Sequence, residues 1–235
     1  MNDEKGRDPV RLEGKTHFSR FWYYRVIDAT RLGKLFFDLR YEGMENVPRQ
    51  GPAIILAKHQ QYMDSLIIAM ALKDEVQRVA HYFIKYSLPD FMEQKLGGIK
   101  FLTPENYKDL VHRHGREKAK VLARDFNGKS YARIQDTLRQ GEIILMYPEG
   151  GIRRRKMGDI RRAPMKMFQE MEAALHEKIP IIPLGIEYAR WYKDLFCCPP
   201  SRITLRVGKP MYFGGESMEE FCSAIHEELR RLSGL

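Results

Sequence analysis

Ala53-Ile54-Ile55-Leu56-Ala57-Lys58-His59-Gln60-Gln61-Tyr62-Met63-Asp64 and the run Ser65 to Leu72 that follows decide how this chain is read. The first five residues are apolar at every position, and Ser65-Leu66-Ile67-Ile68-Ala69-Met70-Ala71-Leu72 is a helix-like apolar run. Between them lie charged and hydrogen-bonding side chains. A short run with no polar alternation fits a strand buried on both faces, as in a parallel sheet covered by helices. His59 and Asp64 then fall on the loop that leaves the strand's C-terminal end, the edge where open α/β sheets bind ligands. A carboxylate one turn beyond a histidine can reach back to its ring. That is the arrangement of a general base and its orienting partner, with no side-chain nucleophile between them. The spacing leaves a second reading open, because an Asp before an apolar helix is also an ordinary N-cap that accepts from first-turn amides.

Outward from this stretch the chain alternates. Strand-like runs fall at 53–57, 79–83, 99–102, 142–147, 179–186 and 203–207, with helical patterns at 65–73, about 106–125, 130–139, 163–177 and 217–232. Such alternation predicts an α/β fold with a central, largely parallel sheet flanked by helices. Pro104 to Ser130 is highly charged and contains Asp125-Phe126-Asn127-Gly128-Lys129, which reads as a turn within a surface insertion or lid. Ile179-Pro180-Ile181-Ile182-Pro183-Leu184-Gly185 carries two prolines. Proline cannot donate in a ladder, so this strand is expected to bulge, or to lie partly unpaired or at an edge.

Residues 1–41 read as a separate N-terminal amphipathic segment, leaving 42–235 as the α/β domain. Phe18, Trp22, Val26 and Ala29 recur at helical spacing among Lys15, Arg20, Arg25, Arg31 and Lys34. Aromatic rings mixed with cations suit a bilayer interface; a stripe packed on the main domain is the competing reading. The net charge of +9 calls for an anionic partner. The first residues are too charged for a signal peptide, and uncharged runs stay within about ten residues where a spanning helix needs roughly 20. The three cysteines, Cys197, Cys198 and Cys222, form neither a disulfide framework nor a metal-ligand pattern. His112 and His114 lack a third ligand, so no metal is expected. These features predict a cytoplasmic protein.

Glu142-Ile143-Ile144-Leu145-Met146-Tyr147 reads as a second buried strand, ending in Pro148-Glu149-Gly150-Gly151. Two glycines after a rigid proline let a tight turn approach a ligand closely. Arg153, Arg154, Arg155, Lys156, Arg161, Arg162 and Lys166 follow, and beside such a turn they read as a phosphate site rather than a nucleic-acid face.

Taken in order, Gly43-Met44-Glu45-Asn46-Val47-Pro48, His59 to Asp64, Gly97-Gly98-Ile99, Tyr147-Pro148-Glu149-Gly150, Ile179 to Pro183 and Val207-Gly208-Lys209-Pro210 resemble the glycerolipid acyltransferase family, typified by 1-acylglycerol-3-phosphate acyltransferases. The resemblance covers roughly residues 30 to 213. It implies an enzyme of phospholipid biosynthesis, peripheral on the inner face of the membrane, whose partners are an anionic membrane surface and a lysophospholipid and not nucleic acid. Acyl-CoA or acyl carrier protein would be the co-substrate, with no further cofactor. The implied roles are His59 as base, Asp64 as its partner, and Glu149, Gly150 and Gly151 as the acceptor-binding turn. Two departures stand out. Thr103 and Ile152 occupy places where the family carries arginines for the acceptor phosphate, leaving Arg153, Arg154 and Lys100 as substitutes. A non-phosphate lysolipid acceptor and a non-catalytic basic membrane-binding module are the alternatives.

Overall fold

The apolar run Ala53–Ala57 is a strand with both faces covered, and every one of its residues is buried. The computed structural model describes residues 19–30, 37–189 and 201–235. In chain order the elements are α1 (Arg20–Thr30), β1 (Phe37–Glu42), β2 (Ala53–Ala57), α2 (Asp64–Ala71), β3 (Ala80–Lys85), α3 (Asp90–Leu96), β4 (Gly98–Phe101), α4 (Pro104–His114), α5 (Arg116–Arg139), β5 (Ile143–Met146), α6 (Arg162–Leu175), β6 (Ile181–Tyr188), β7 (Ser201–Val207) and α7 (Met218–Leu232). The strands form one sheet in the order β1-β7-β6-β2-β5-β3-β4. β4, β3, β5, β2 and β6 are mutually parallel, β7 is antiparallel to β6, and β1 is parallel to β7. The fold is the expected α/β class with a mostly parallel sheet.

Period-two alternation along the central strands feeds two cores. Ala53, Ile55, Ala57, Ile143 and Leu145 pack on one face with Tyr23 and Ile27 of α1 and Ile67 and Ile68 of α2. Ile54, Leu56, Ile144 and Met146 pack on the other with Ile134 of α5, Phe168 of α6 and Ile225 of α7. Full burial of each such side chain contributes roughly 1.5–3 kcal/mol.

Four local readings change. Phe37–Glu42, placed by sequence within the N-terminal segment, is β1 of the sheet, joined to β7 in register from Phe37↔Ser201 to Glu42↔Arg206. The predicted turn at 125–129 lies inside α5. There Asn127 Oδ1 accepts from the amide of Leu102 at 3.0 Å, and Ser130 Oγ donates to the carbonyl of Lys100 at 2.6 Å, so these turn-forming groups serve the end of β4 instead of their own backbone. Because Asn127 sits level with the end of β4, the residues of α5 before it, together with α4, stand beyond the C-terminal edge of the sheet. The two-proline strand is internal, between β2 and β7. Pro180 precedes it, and Pro183 lies one residue outside the register with β7, which starts at Leu184↔Val207. There the proline's carbonyl accepts from Gly208 at 2.8 Å, and its missing N–H falls past the end of the antiparallel ladder. Finally, α3 joins the elements; none of its residues is buried.

On α1 the buried residues are Tyr23 and Ile27, while Phe21 is 65% and Trp22 47% exposed. The expected stripe through Trp22, Val26 and Ala29 therefore faces away from the core, and Phe18 lies outside the described residues. Lys95 of α3 sits over the Trp22 ring, 4.5 Å from its centroid. No helix among the described residues is long and apolar enough to cross a membrane.

Candidate active site

β6, β2 and β5 are adjacent and parallel, so the segments leaving their C-terminal ends emerge side by side. β2 delivers Lys58 to Asp64, β5 delivers Tyr147 to Gly151, and β6 ends at Tyr188.

His59 Nδ1 lies 2.8 Å from Asp64 Oδ2, and the ring keeps an 18% exposed side chain while Asp64 is fully buried. The carboxylate points backward along the chain. Its Oδ2 also accepts from the amides of Gln60 at 2.6 Å and Gln61 at 2.9 Å, and its Oδ1 accepts from the Tyr188 hydroxyl. An N-cap would accept from amides further along α2, so the capping reading gives way to the orienting one. Burial, and then the Asp64 charge, pushes the Tyr188 phenol far above its ordinary value, so it stays protonated and donates. A carboxylate can only accept, so Nδ1 carries the ring proton and Nε2 is left with a free lone pair. Tyr147 stacks on the imidazole at 3.9 Å between centroids and 15° between planes, with its own hydroxyl 2.7 Å from Ser65 Oγ. The base is thus fixed at one nitrogen and on one ring face.

Glu149 does not face outward. Its side chain and that of Lys58 are both fully buried, with Lys58 Nζ 2.9 Å from Glu149 Oε1 in a charge pair that is not an aligned hydrogen bond. Glu149 Oε2 accepts from the amide of Gly158 at 2.6 Å. Gly150 takes a left-handed φ of 73°, and a Cβ there would fall into the Arg161 guanidinium. The left-handed conformation favours glycine, and any side chain there would push the Arg161 guanidinium aside. Arg161 returns to the turn through its amide, which donates to Pro148 at 3.0 Å. Gly151 is half-buried, and Arg153 and Arg154 are exposed on the loop that follows.

Lys100 is paired with Asp90 of α3. Thr103 caps α4, its hydroxyl accepting from the amide of Asn106. Lys85, which sequence did not single out, stands at this edge with Arg161 of the basic run. The Glu105 carboxyl is held below its usual range first by the Thr103 hydroxyl and its own amide, with the charges of Lys85 and Arg161 adding to the effect. Tyr188 was also missed. It lies 124 residues from Asp64, and only the pairing of β6 with β2 brings the two together. Among the described residues no group of His, Cys, Asp and Glu could hold a metal ion.

The arrangement can take a proton from a substrate hydroxyl. No curated protein matches the chain. Among solved structures it is similar to the crystal structure of the 1-acyl-sn-glycerophosphate (LPA) acyltransferase, PlsC, from Thermotoga maritima. The two are 17% identical, with a TM-score of 0.52 over 89% of this chain and 79% of that one, a likeness of fold. The family model described as Acyltransferase matches residues 38–187, which take in β2, the His59–Asp64 pair, the turn at Glu149 and nearly all of β6. With well over half of its length inside that match, the chain belongs to the acyltransferase family.

Proposed function

We propose that the protein moves a fatty acyl group from the thioester of acyl-CoA or acyl carrier protein to the free hydroxyl of a lysophospholipid, 1-acylglycerol-3-phosphate foremost, giving phosphatidic acid. The observation that carries this reading is the His59 Nδ1 to Asp64 Oδ2 contact of 2.8 Å beneath a partly exposed ring. His59 Nε2 takes the proton of the acceptor hydroxyl as that oxygen attacks the thioester carbonyl. Asp64 stabilises the imidazolium that forms. When the tetrahedral intermediate collapses, the carbon–sulfur bond breaks and the imidazolium returns its proton to the leaving thiolate. An ester and a free thiol result, with no acyl-enzyme and no cofactor.

A phosphate on the acceptor is supported by Lys85, Arg153 and Arg161, exposed cations at the same edge. The alternative of a non-phosphate lysolipid is favoured by Thr103 serving as a helix cap and Lys100 being paired with Asp90. We further assign the enzyme to the inner face of an anionic membrane, with exposed Phe21 and Trp22 and the basic residues of the N-terminal segment as its contact.

Thiol release from acyl-CoA and acyl carrier protein, measured across lysolipids with and without a phosphate, tests the reading. The expected result is acceptor-dependent release, greatest with lysophosphatidic acid and abolished in His59→Ala. Folded protein that shows no acceptor-dependent release with either donor overturns it. Equal rates with phosphate-free acceptors select the second reading.

A further inference from the structure

Lys58 is a fully buried lysine beside the base, and base chemistry at His59 makes no use of it. Its ammonium donates to the carbonyl of Arg153 at 2.6 Å and of His59 at 3.1 Å, and stands 2.9 Å from Glu149 Oε1. The amide of Arg153 donates to the same His59 carbonyl at 2.9 Å. Glu149 Oε2 extends the set to the amide of Gly158 at 2.6 Å. One ammonium therefore gathers the loop that carries the base and the loop that carries Arg153.

From this geometry we infer that Lys58 and Glu149 are positioning residues that latch the 150–158 loop to the backbone of His59, setting the distance from the base to the group that holds the acceptor. The inference rests on the acyl-transfer reading for what the loop does, and on geometry alone for the latch. Stability is a poor reason for such a pair. Removing two charges from water opposes their attraction, and apolar side chains of similar volume often replace a buried ion pair without loss. Burial does lower the pKa of the Lys58 ammonium, opposed by the nearby carboxylate of Glu149. A lysine fits because it supplies three donors and a charge at one point. Met has none of these, and Gln at 149 keeps one oxygen for the Gly158 amide but removes the charge that faces Lys58 Nζ.

The test separates fold from position with Lys58→Met/Glu149→Leu, which removes both charges together. Melting temperature, steady-state kinetics with donor and acceptor varied separately, and amide hydrogen exchange over residues 150–158 are measured against wild type. The expected result is a near wild-type melting temperature, faster exchange confined to the loop, and a fall of about tenfold or more in kcat/KM for the acceptor. That fall comes mainly through acceptor KM, with donor KM within about twofold. Wild-type exchange together with wild-type acceptor kinetics overturns the latch, and so does an equal rise of both KM values without faster loop exchange. If the double variant does not fold, Glu149→Gln decides. Faster loop exchange with a raised acceptor KM supports the latch, and wild-type values overturn it. Should wild type itself transfer no acyl group, the acyl-transfer reading fails, and the exchange measurement still judges the latch.

Discussion

Asp64→Asn separates the two things this carboxylate does for His59, holding its tautomer and supplying a charge. Asp64 Oδ2 accepts from three N–H groups, those of His59 Nδ1, Gln60 and Gln61, while Oδ1 accepts from the Tyr188 hydroxyl. An asparagine has one oxygen and one NH2 to place. Turning the oxygen to the three N–H donors leaves the NH2 facing a hydroxyl that can rotate to accept; the opposite choice sets an NH2 against two backbone donors that cannot move. The amides of Gln60 and Gln61 therefore select the first orientation, and Nδ1–H keeps its acceptor. What disappears is the charge. An opposite charge about 4 Å away favours a cation by roughly 1 kcal/mol where water screens it and by roughly 4 kcal/mol at a protein-like dielectric. The expected loss in rate is thus on the order of 10- to 1000-fold. It should be smaller than the roughly 10⁴-fold fall seen where the same substitution turns a triad histidine to the wrong tautomer. Thiol release in the presence of acceptor measures it, with His59→Ala giving the background. A rate within about threefold of wild type would show that the charge is idle. A rate equal to the His59→Ala background would show that the tautomer was lost and that the two amides do not fix the orientation.

Three further outcomes follow from the surroundings of the site. His81 is buried, and burial, with the charges of Arg133 and Arg20 adding, lowers its pKa from 6.5 to about 4. Between those values the unfolded chain binds a proton that the native state refuses, so stability present above pH 6.5 falls by up to about 3 kcal/mol as the pH drops to 4. Urea unfolding at pH 7.5 and 4.5 checks this, and His81→Gln, which cannot gain the charge, should narrow the difference. Arg78 donates to the carbonyls of Pro48 and Gly51, each at 2.7 Å, and also to Gly141, clipping the connections that enter β2 and β5. Arg78→Met should lower stability by about 1–3 kcal/mol, because three carbonyls in part-buried contacts lose a charged donor; an unchanged urea midpoint would count against that account. Phe21→Ser/Trp22→Ser should weaken flotation with anionic vesicles at an unchanged melting temperature, since both rings point away from the core. Deleting the N-terminal segment is the poorer test, because Tyr23 and Ile27 are core residues and β1 is part of the sheet.

The central strands were legible because burial on both faces leaves an unbroken apolar run; 53–57 was read with its observed bounds, and 142–147 and 203–207 to within two residues of theirs. α3 was invisible for the converse reason, since a helix with no buried residue carries no apolar period. β1 alternates charged residues whose partners, Arg202 for Asp38 and Arg206 for Glu42, lie on β7. Within the residues themselves it resembled part of an amphipathic segment. Asn127 and Gly128 were read as a turn because local propensity was the available signal, and the tertiary contact of Asn127 with Leu102 overrode it.

By itself the sequence determined the α/β alternation and the place of His59 and Asp64 on a strand-to-helix loop, because both follow from local apolar pattern. Only the tertiary structure decided which way Asp64 points. That choice depends on the Gln60 and Gln61 amides folded back over the carboxylate, and on a Tyr188 hydroxyl delivered by a neighbouring strand. It also placed Glu149, read from sequence as part of an acceptor-binding turn, as the buried counterion of Lys58, since only the parallel pairing of β2 with β5 sets those two loops side by side. Local pattern records which face of an element is apolar. It does not record which polar groups meet at the sheet's edge, because those meetings are made between residues far apart along the chain.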